Sequence, residues 1–301
     1  MMDVPILLIG FNRPELLLSR VKEIIRMKAP VLFISIDGGN DANQSLMSNA
    51  VQQVKTFDTS STKIIIKHHT QSLGLVDHIT SAISRVLVEY EKVIIVEDDI
   101  KLTNNFYVNM ISGFNTLDSL GIKGTVGAFS PLLPISFLSK RNSWRTTRYF
   151  SCWGWGCSRE IWIDYQDNLN CEKFNDDLKF SKTWKALSVY QRQLWTHRFT
   201  KISRTPKHTW DIQFQYLSFK HSYLQLVPVF RFVDNEGFSD QRAAHTSGSR
   251  PKWMGRGEVI NSKLPEKRIS LFSSLIQNLI DSNTIAGDTR LIQFKNQRLK
   301  T

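Results

Sequence analysis

This 301-residue sequence predicts an α/β fold, with a mostly parallel sheet flanked by helices. Three observations carry the expectation. Short apolar runs alternate with helix-spaced stretches four times within about the first 100 residues. The runs are continuously apolar, which suits strands buried on both faces. Polar clusters follow three of the runs directly, where open parallel sheets bind their ligands.

The first run is Val4-Pro5-Ile6-Leu7-Leu8-Ile9-Gly10. A helix should follow: Asn12 offers a cap, Pro14 suits a first turn, and Glu15 stands where a capping box wants an acid. Leu17, Val21, Ile24 and Ile25 continue it at helical spacing. The second run, Val31–Ile36, ends at the turn signal Asp37-Gly38-Gly39. The spacing predicts a helix over the forties to mid-fifties and a third strand at 63–67. Gly74 precedes a helical pattern of Val76, Ile79, Ile83, Val86 and Leu87. The fourth run, Val93–Val96, ends in Glu97-Asp98-Asp99.

The second half changes character. It holds Trp144, Trp153, Trp155, Trp162, Trp184, Trp195 and Trp210. Residues 150–165, aromatic and glycine-rich, are expected to pass through the core beneath a substrate cleft. Residues 234–257 read as a mobile polar loop. From 267 on, Ile269, Phe272, Leu275, Ile276, Leu279 and Ile280 trace an amphipathic helix flanked by Lys and Arg. The expected organisation is a nucleotide-binding half at 1–125, an acceptor-binding half of the same domain at 126–265, and a basic helix and tail at 266–301.

Composition narrows the function classes. Hydrophobic residues make up 41% and charged residues 22%, which describes a chain that buries a core rather than a disordered one. The net charge is +12, favouring anionic partners such as nucleotide phosphates. No basic arm, zinc-finger spacing or RNP motif points to nucleic acid. Three cysteines, Cys152, Cys157 and Cys171, do not make a secreted disulfide framework. Cys152 and Cys157 lack a nearby histidine and read as packing thiols. The opening run is too short to cross a bilayer, and no other run is long enough. The simplest compartment is the cytoplasm.

Two segments carry chemistry. Three consecutive carboxylates after a buried strand repel one another unless something compensates them. Mg²⁺ or Mn²⁺ does so, binding through one or two carboxylates and substrate phosphates. A solvated turn of capping acids is the plainer alternative, and the apolar strand in front argues against it. In the segment from Ser151 to Trp162, glycines alternate with tryptophans. Glycines let backbone approach closely, and flat rings suit sugar faces, although packing explains tryptophans as well and is preferred for Trp162. Trp153, Gly154 and Trp155 are expected in the cleft.

The ordered set of motifs resembles GT-A glycosyltransferases, particularly the N-acetylglucosaminyltransferase I group and related bacterial polysaccharide-cluster enzymes. The residues carrying the resemblance are Pro5–Pro14, Phe33–Gly39 and Glu97-Asp98-Asp99, with looser similarity over 205–246. It implies a GT-A, Rossmann-like fold with a smaller acceptor-side region. The activity implied is inverting, metal-dependent transfer of a sugar, such as GlcNAc, from a UDP-sugar to a glycan. That acceptor would be lipid-linked, in O-antigen or capsule assembly, with peripheral contact at the inner membrane face. The resemblance assigns Arg13 and Asp37 to the nucleotide base or ribose, Asp99 to the metal and Asp98 to the neighbourhood of the donor sugar, while Glu97 would orient the cluster or contact the sugar. The Gly-Trp segment would line the donor-sugar and acceptor region.

His208-Thr209-Trp210-Asp211 resembles the tryptophan–acid pair that supplies the base, so Asp211 would take the acceptor proton. The plainer reading makes Asp211 the cap of a helix from 212 to 221, a rigid position compatible with the base role, and makes Arg13 and Asp37 a structural pair at a helix start, which is the less favoured reading. Asp164, Asp176 and Asp177 are weaker candidates for the base. The loop with Arg242, Arg250 and Arg256 would close on the donor, and His245 is a weak candidate phosphate or metal contact. Two rivals stand beside this reading. One is a sugar-nucleotide nucleotidyltransferase, against which the single glycine after the first strand counts. The other is a non-catalytic nucleic-acid- or glycan-binding protein, which leaves the acidic triplet without a purpose.

Overall fold

Strands β1 (Ile6–Gly10), β2 (Val31–Ile36), β3 (Lys63–His68) and β4 (Lys92–Glu97) form the parallel half of one eight-stranded sheet. The structure is a computed structural model and describes residues 3–130, 142–239, 242, 259–267 and 269. Helices α1 (Pro14–Arg26), α2 (Asp41–Val54) and α3 (Leu75–Glu89) connect the four strands. All seven elements fall where the apolar periodicity expects them.

The chain then adds β5 (Ile100–Leu102), α4 (Phe106–Leu120), β6 (Gly124–Gly127), β7 (Trp144–Thr147), β8 (Trp155–Ser158) and α5 (Arg159–Trp162). Further on come α6 (Phe174–Leu178), α7 (Lys182–Lys185), α8 (Val189–Arg204), α9 (Asp211–His221), β9 (Leu224–Pro228) and β10 (Val233–Asn235). The sheet order is β3-β2-β1-β4-β8-β6-β9-β7. Strand β8 is antiparallel to both β4 and β6, and β7 is antiparallel to β9. The architecture is therefore a mixed α/β, Rossmann-like sheet, mostly parallel, with helices on both faces.

Alternate side chains on the central strands feed two cores, as period-two geometry requires. Ile6, Leu8, Leu32, Ile34, Ile94 and Val96 pack with α1, α2 and α4. Leu7, Ile9, Val31, Phe33, Val93 and Ile95 pack with α3, α5 and α9. A third cluster, Phe174, Leu178, Leu187, Trp195, Phe199, Tyr216 and Phe219, joins α6 and α8 to the outer side of α9.

Three local expectations are corrected. Asn12 does not cap α1: Pro14 opens the helix, so Arg13 occupies the cap position and makes no side-chain cap bond. Glu15 instead pairs with Arg242. Asp234 and Asn235 are not loop but part of β10, which pairs antiparallel with β5. His245, Arg250 and Arg256 lie outside the described residues, as does the expected helix apart from Ile269. Among the described residues no helix is long and apolar enough to cross a membrane.

One buried group gives the fold a pH dependence. His78, on α3, is 3% exposed, and its Nε2 lies 2.9 Å from Ser35 Oγ. Burial pushes its pKa down to about 4, against the raising effect of Asp37 and with a further lowering by His69. The folded protein therefore holds a neutral ring that the unfolded chain protonates near pH 6.5. This contribution is full above pH 6.5 and is lost as pH falls towards 4, by about 2 kcal/mol at pH 5. Burial lowers His68 and His69 too, in the same direction. Denaturation of wild type and His78→Gln at pH 7 and pH 5 measures the effect. The variant is expected to lose less stability between the two pH values.

Candidate active site at the strand switch point

β1 neighbours β2 on one side and β4 on the other, so the strand order reverses between β1 and β4. Open sheets form a crevice at such a point, beyond the carboxyl ends of the strands. Arg13 follows β1 into that crevice and Glu97-Asp98-Asp99 follows β4. Asp98 N donates to Ile9 O at 3.0 Å, fixing the triplet's backbone to the end of β1.

Arg13 bridges two of the acids. Its Nη2 donates to Asp98 Oδ1, and its Nη1 donates to Asp99 Oδ2 at 3.2 Å. Asp98 is 1% exposed and Asp99 7%. Burial works to lower the Arg13 pKa, but the two aspartates outweigh it and hold the guanidinium more firmly charged. One cation does not balance three acids. Glu97 is pushed up to about 8, first by burial and then by Asp99 and Asp98, with a smaller contribution from Asp211. Asp98 is pushed up to about 7 by burial, which outweighs Arg13. Burial also raises Asp99.

Burial thus favours the protonated forms of these acids, and the site lacks the positive charge needed to ionise all three. Asp98 Oδ2 is buried without a hydrogen-bond partner. Hard carboxylate oxygens short of positive charge fit Mg²⁺ or Mn²⁺. No group of three or more His, Cys, Asp or Glu that could hold a metal occurs among the described residues. A cation at this place would therefore draw on substrate phosphates for the rest of its shell.

Asp211 comes to the same edge through topology. Strand β9 runs parallel to β6, so it ends at the site edge and starts at the far edge. Helix α9, which precedes β9, therefore has its N-terminus near the site. Asp211 is the first residue of α9, and Trp210 takes the cap position. Asp211 Oδ1 accepts from Thr209 Oγ1 and from Ile212 N at 3.0 Å.

Cys152 sits among the acids. Strand β8 begins opposite Ile95, which sets residues 152–154 beside the end of β4. Burial raises the Cys152 thiol well above its usual value, and Glu97, Asp211 and Asp99 raise it further. It stays a neutral thiol within electrostatic reach of both the triplet and Asp211. This placement was not legible in the sequence, because it depends on β8 entering the sheet between β4 and β6.

The other expected site residues divide. Trp153 is partly buried against Phe129 and Phe238, with ring centroids 4.6 and 5.9 Å away. Gly154 has a φ of +65°, and an added Cβ would meet Phe106, Val233 and Ala128 at 3.2 to 3.4 Å. Trp155, expected in the cleft, is completely buried. Its ring stacks on Trp210 at 5.4 Å and packs on Phe150 and Phe214, so it supports the floor and does not face a ligand.

Asp37 is 5% exposed, and its loop already engages it. Oδ1 accepts from Gly38 N and Leu73 N, and Oδ2 from Ser72 Oγ and Gly74 N, at 2.8 to 3.2 Å. It holds the 72–74 turn, whose approach is so close that a Cβ on Gly38 would lie 2.3 Å from the Gln71 carbonyl carbon. Asp176 pairs with Lys179, while Asp177 accepts from Tyr216 and Lys220. Asp164 lies 3.4 Å from the Tyr223 hydroxyl.

No family model matches the sequence. No curated protein matches it either. Among solved structures, the chain is similar to a UDP-glucose pyrophosphorylase complexed with UDP-glucose, at 8% identity and a TM-score of 0.37. That similarity covers 75% of this chain and 90% of the other. A second is a mannose-1-phosphate geranyltransferase from Thermus thermophilus, at 8% identity and a TM-score of 0.31, covering 75% of this chain and 74% of that one.

Proposed function

We propose that this chain is a metal-dependent transferase acting on a nucleoside-diphosphate sugar, and that it transfers the sugar to a hydroxyl group. The observation supporting this is the convergence on one sheet edge of an Arg13-bridged acidic triplet and a separate aspartate, Asp211.

Asp99 would hold a Mg²⁺ or Mn²⁺ ion together with the donor diphosphate, with Asp98 and Glu97 beside it. When bound, the cation stabilises charge developing on the leaving diphosphate. Arg13 opposes the effect of burial on Asp98 and Asp99 and holds both side chains in place. Asp37 shapes the turn that receives the nucleotide, and Trp153 and Gly154 line the donor-sugar side. Asp211 accepts the proton of the attacking hydroxyl at a carboxylate oxygen. Arg242 pairs with Glu15 and lies 3.5 Å from the Asn12 carbonyl, which places its guanidinium beside the residues that lead into Arg13. The resemblance adds a UDP-sugar donor and a lipid-linked glycan acceptor of a bacterial surface polysaccharide, in the cytoplasm at the membrane face.

A second reading is nucleotidyl transfer, the reaction class of the pyrophosphorylase among the structural neighbours. Two features favour glycosyl transfer instead. Arg13 is occupied by the triplet, and the single glycine after β1 serves packing: a Cβ on Gly10 would lie 2.9 Å from Leu17. Incubation with sugar nucleotides and Mn²⁺ separates the readings. Release of nucleoside diphosphate is expected. Pyrophosphate-dependent formation of nucleoside triphosphate would establish the rival, and no metal-dependent turnover on any sugar nucleotide would favour a binding module.

A further inference from the structure

We infer that the outer end of the α6–α8 layer, centred on Phe180, docks on an anionic lipid surface. Phe180 is 76% exposed, in a protein that buries most of its other phenylalanines. The ammonium groups of Lys179 and Lys185 lie over its ring, 5.2 and 5.7 Å from the centroid. Val189 and Tyr190, which open α8, are each 57% exposed. An exposed aromatic ring flanked by lysines matches the boundary between headgroups and acyl chains. There the ring enters and the long cations stay at the phosphate level.

The charge is complementary to that surface. Residues 171–204 hold Lys173, Lys179, Lys182, Lys185, Arg192, Arg198, Lys201 and Arg204 against only Glu172, Asp176 and Asp177. Lys182, Lys185 and Arg192 make no ion pair among the described residues. Exposed aromatic rings beside lysines also suit unpaired bases, so an oligonucleotide is the competitor in the test.

The fold brings the patch together at one end. Ser181 Oγ lies 3.2 Å from Ser222 Oγ, and Lys182 N donates to Ser222 Oγ at 2.9 Å, so α7 abuts the C-terminal end of α9. Asp211 is at the other end of that 11-residue helix, about 16 Å away at the usual rise per residue. Helix α8 likewise starts at the patch and runs back towards Asp211. In a docked protein Asp211 therefore stands about one length of α9 from the contact patch. The inference is independent of the proposed chemistry, because partitioning is measured without turnover.

Vesicle co-sedimentation of the full chain tests it, comparing phosphatidylcholine alone with mixtures of roughly one-third phosphatidylglycerol. Binding is expected only to the anionic vesicles, and to weaken with salt. Phe180→Ala should lower partitioning about tenfold or more, while Phe180→Trp should restore it. Joint replacement of Lys179, Lys182 and Lys185 by Gln should lower partitioning on the order of a hundredfold. All these positions are surface sites, so unchanged thermal unfolding separates docking from misfolding. Equal binding to neutral vesicles would overturn the inference. So would undiminished binding by the Phe180→Ala and lysine variants, absence of wild-type binding, or release of the protein to an oligonucleotide in preference to vesicles.

Discussion

Asp99→Asn is expected to lower metal-dependent turnover by at least about a thousandfold and to erase the Mn²⁺-dependent part of nucleotide binding. Asparagine keeps an oxygen for Arg13 but removes a charge from a buried acidic triplet. Burial penalises that charge in the folded protein, so the variant should unfold no earlier than wild type. Lost activity in a stable variant then reports on the charge itself. Calorimetric titration of a sugar nucleotide with and without Mn²⁺ reads the binding half of the prediction. A variant with an undiminished Mn²⁺ response would place the cation elsewhere.

Asp211→Asn is expected to reduce the rate of transfer by about 10²- to 10⁴-fold, the range of a lost general base. Donor affinity should stay within about twofold, because Asp211 is hydrogen-bonded to Thr209 and Ile212 and to none of the proposed donor contacts. Asparagine retains an oxygen to accept from Thr209 and Ile212, so the start of α9 keeps its bonds. Single-turnover kinetics at saturating donor isolates the chemical step. Transfer at the wild-type rate would remove Asp211 from the proton path. Asp176 and Asp177 could not replace it, being held by lysines on the outer layer. Arg13→Ala, by contrast, should lower both stability and donor binding, since it leaves Asp98 and Asp99 buried without their counter-charge.

Strands β1, β2 and β4 were legible because their apolar runs are continuous, and such runs rarely occur outside a buried element, whereas β3, at the sheet edge and only partly buried, was marked by Ile64-Ile65-Ile66 alone. The triplet was legible because it directly follows such a run. Long-range pairing hid the rest. Trp155 reads as a cleft residue beside Gly154 and Gly156, yet β8 carries it into the middle of the sheet, under Trp210. Asp37 stands after a strand, as a ligand contact would, but its oxygens meet a turn 35 residues further along the chain. Arg13 announces itself only as a residue before proline. Its partners lie 85 and 86 positions away, and no local pattern encodes them.

The small ribbon of β5 and β10 links two parts of the molecule mechanically. Glu236 N donates to the Asp99 carbonyl at 2.8 Å, just beyond the register of Asn235 with Ile100. The same Glu236 side chain reaches buried Arg20 and Lys101. A ligand that tightened the backbone at Asp99 would thereby stiffen residues 236–239, which follow β10. Immobilising those residues would strengthen the hold on the ligand by the same factor, since such coupling is reciprocal.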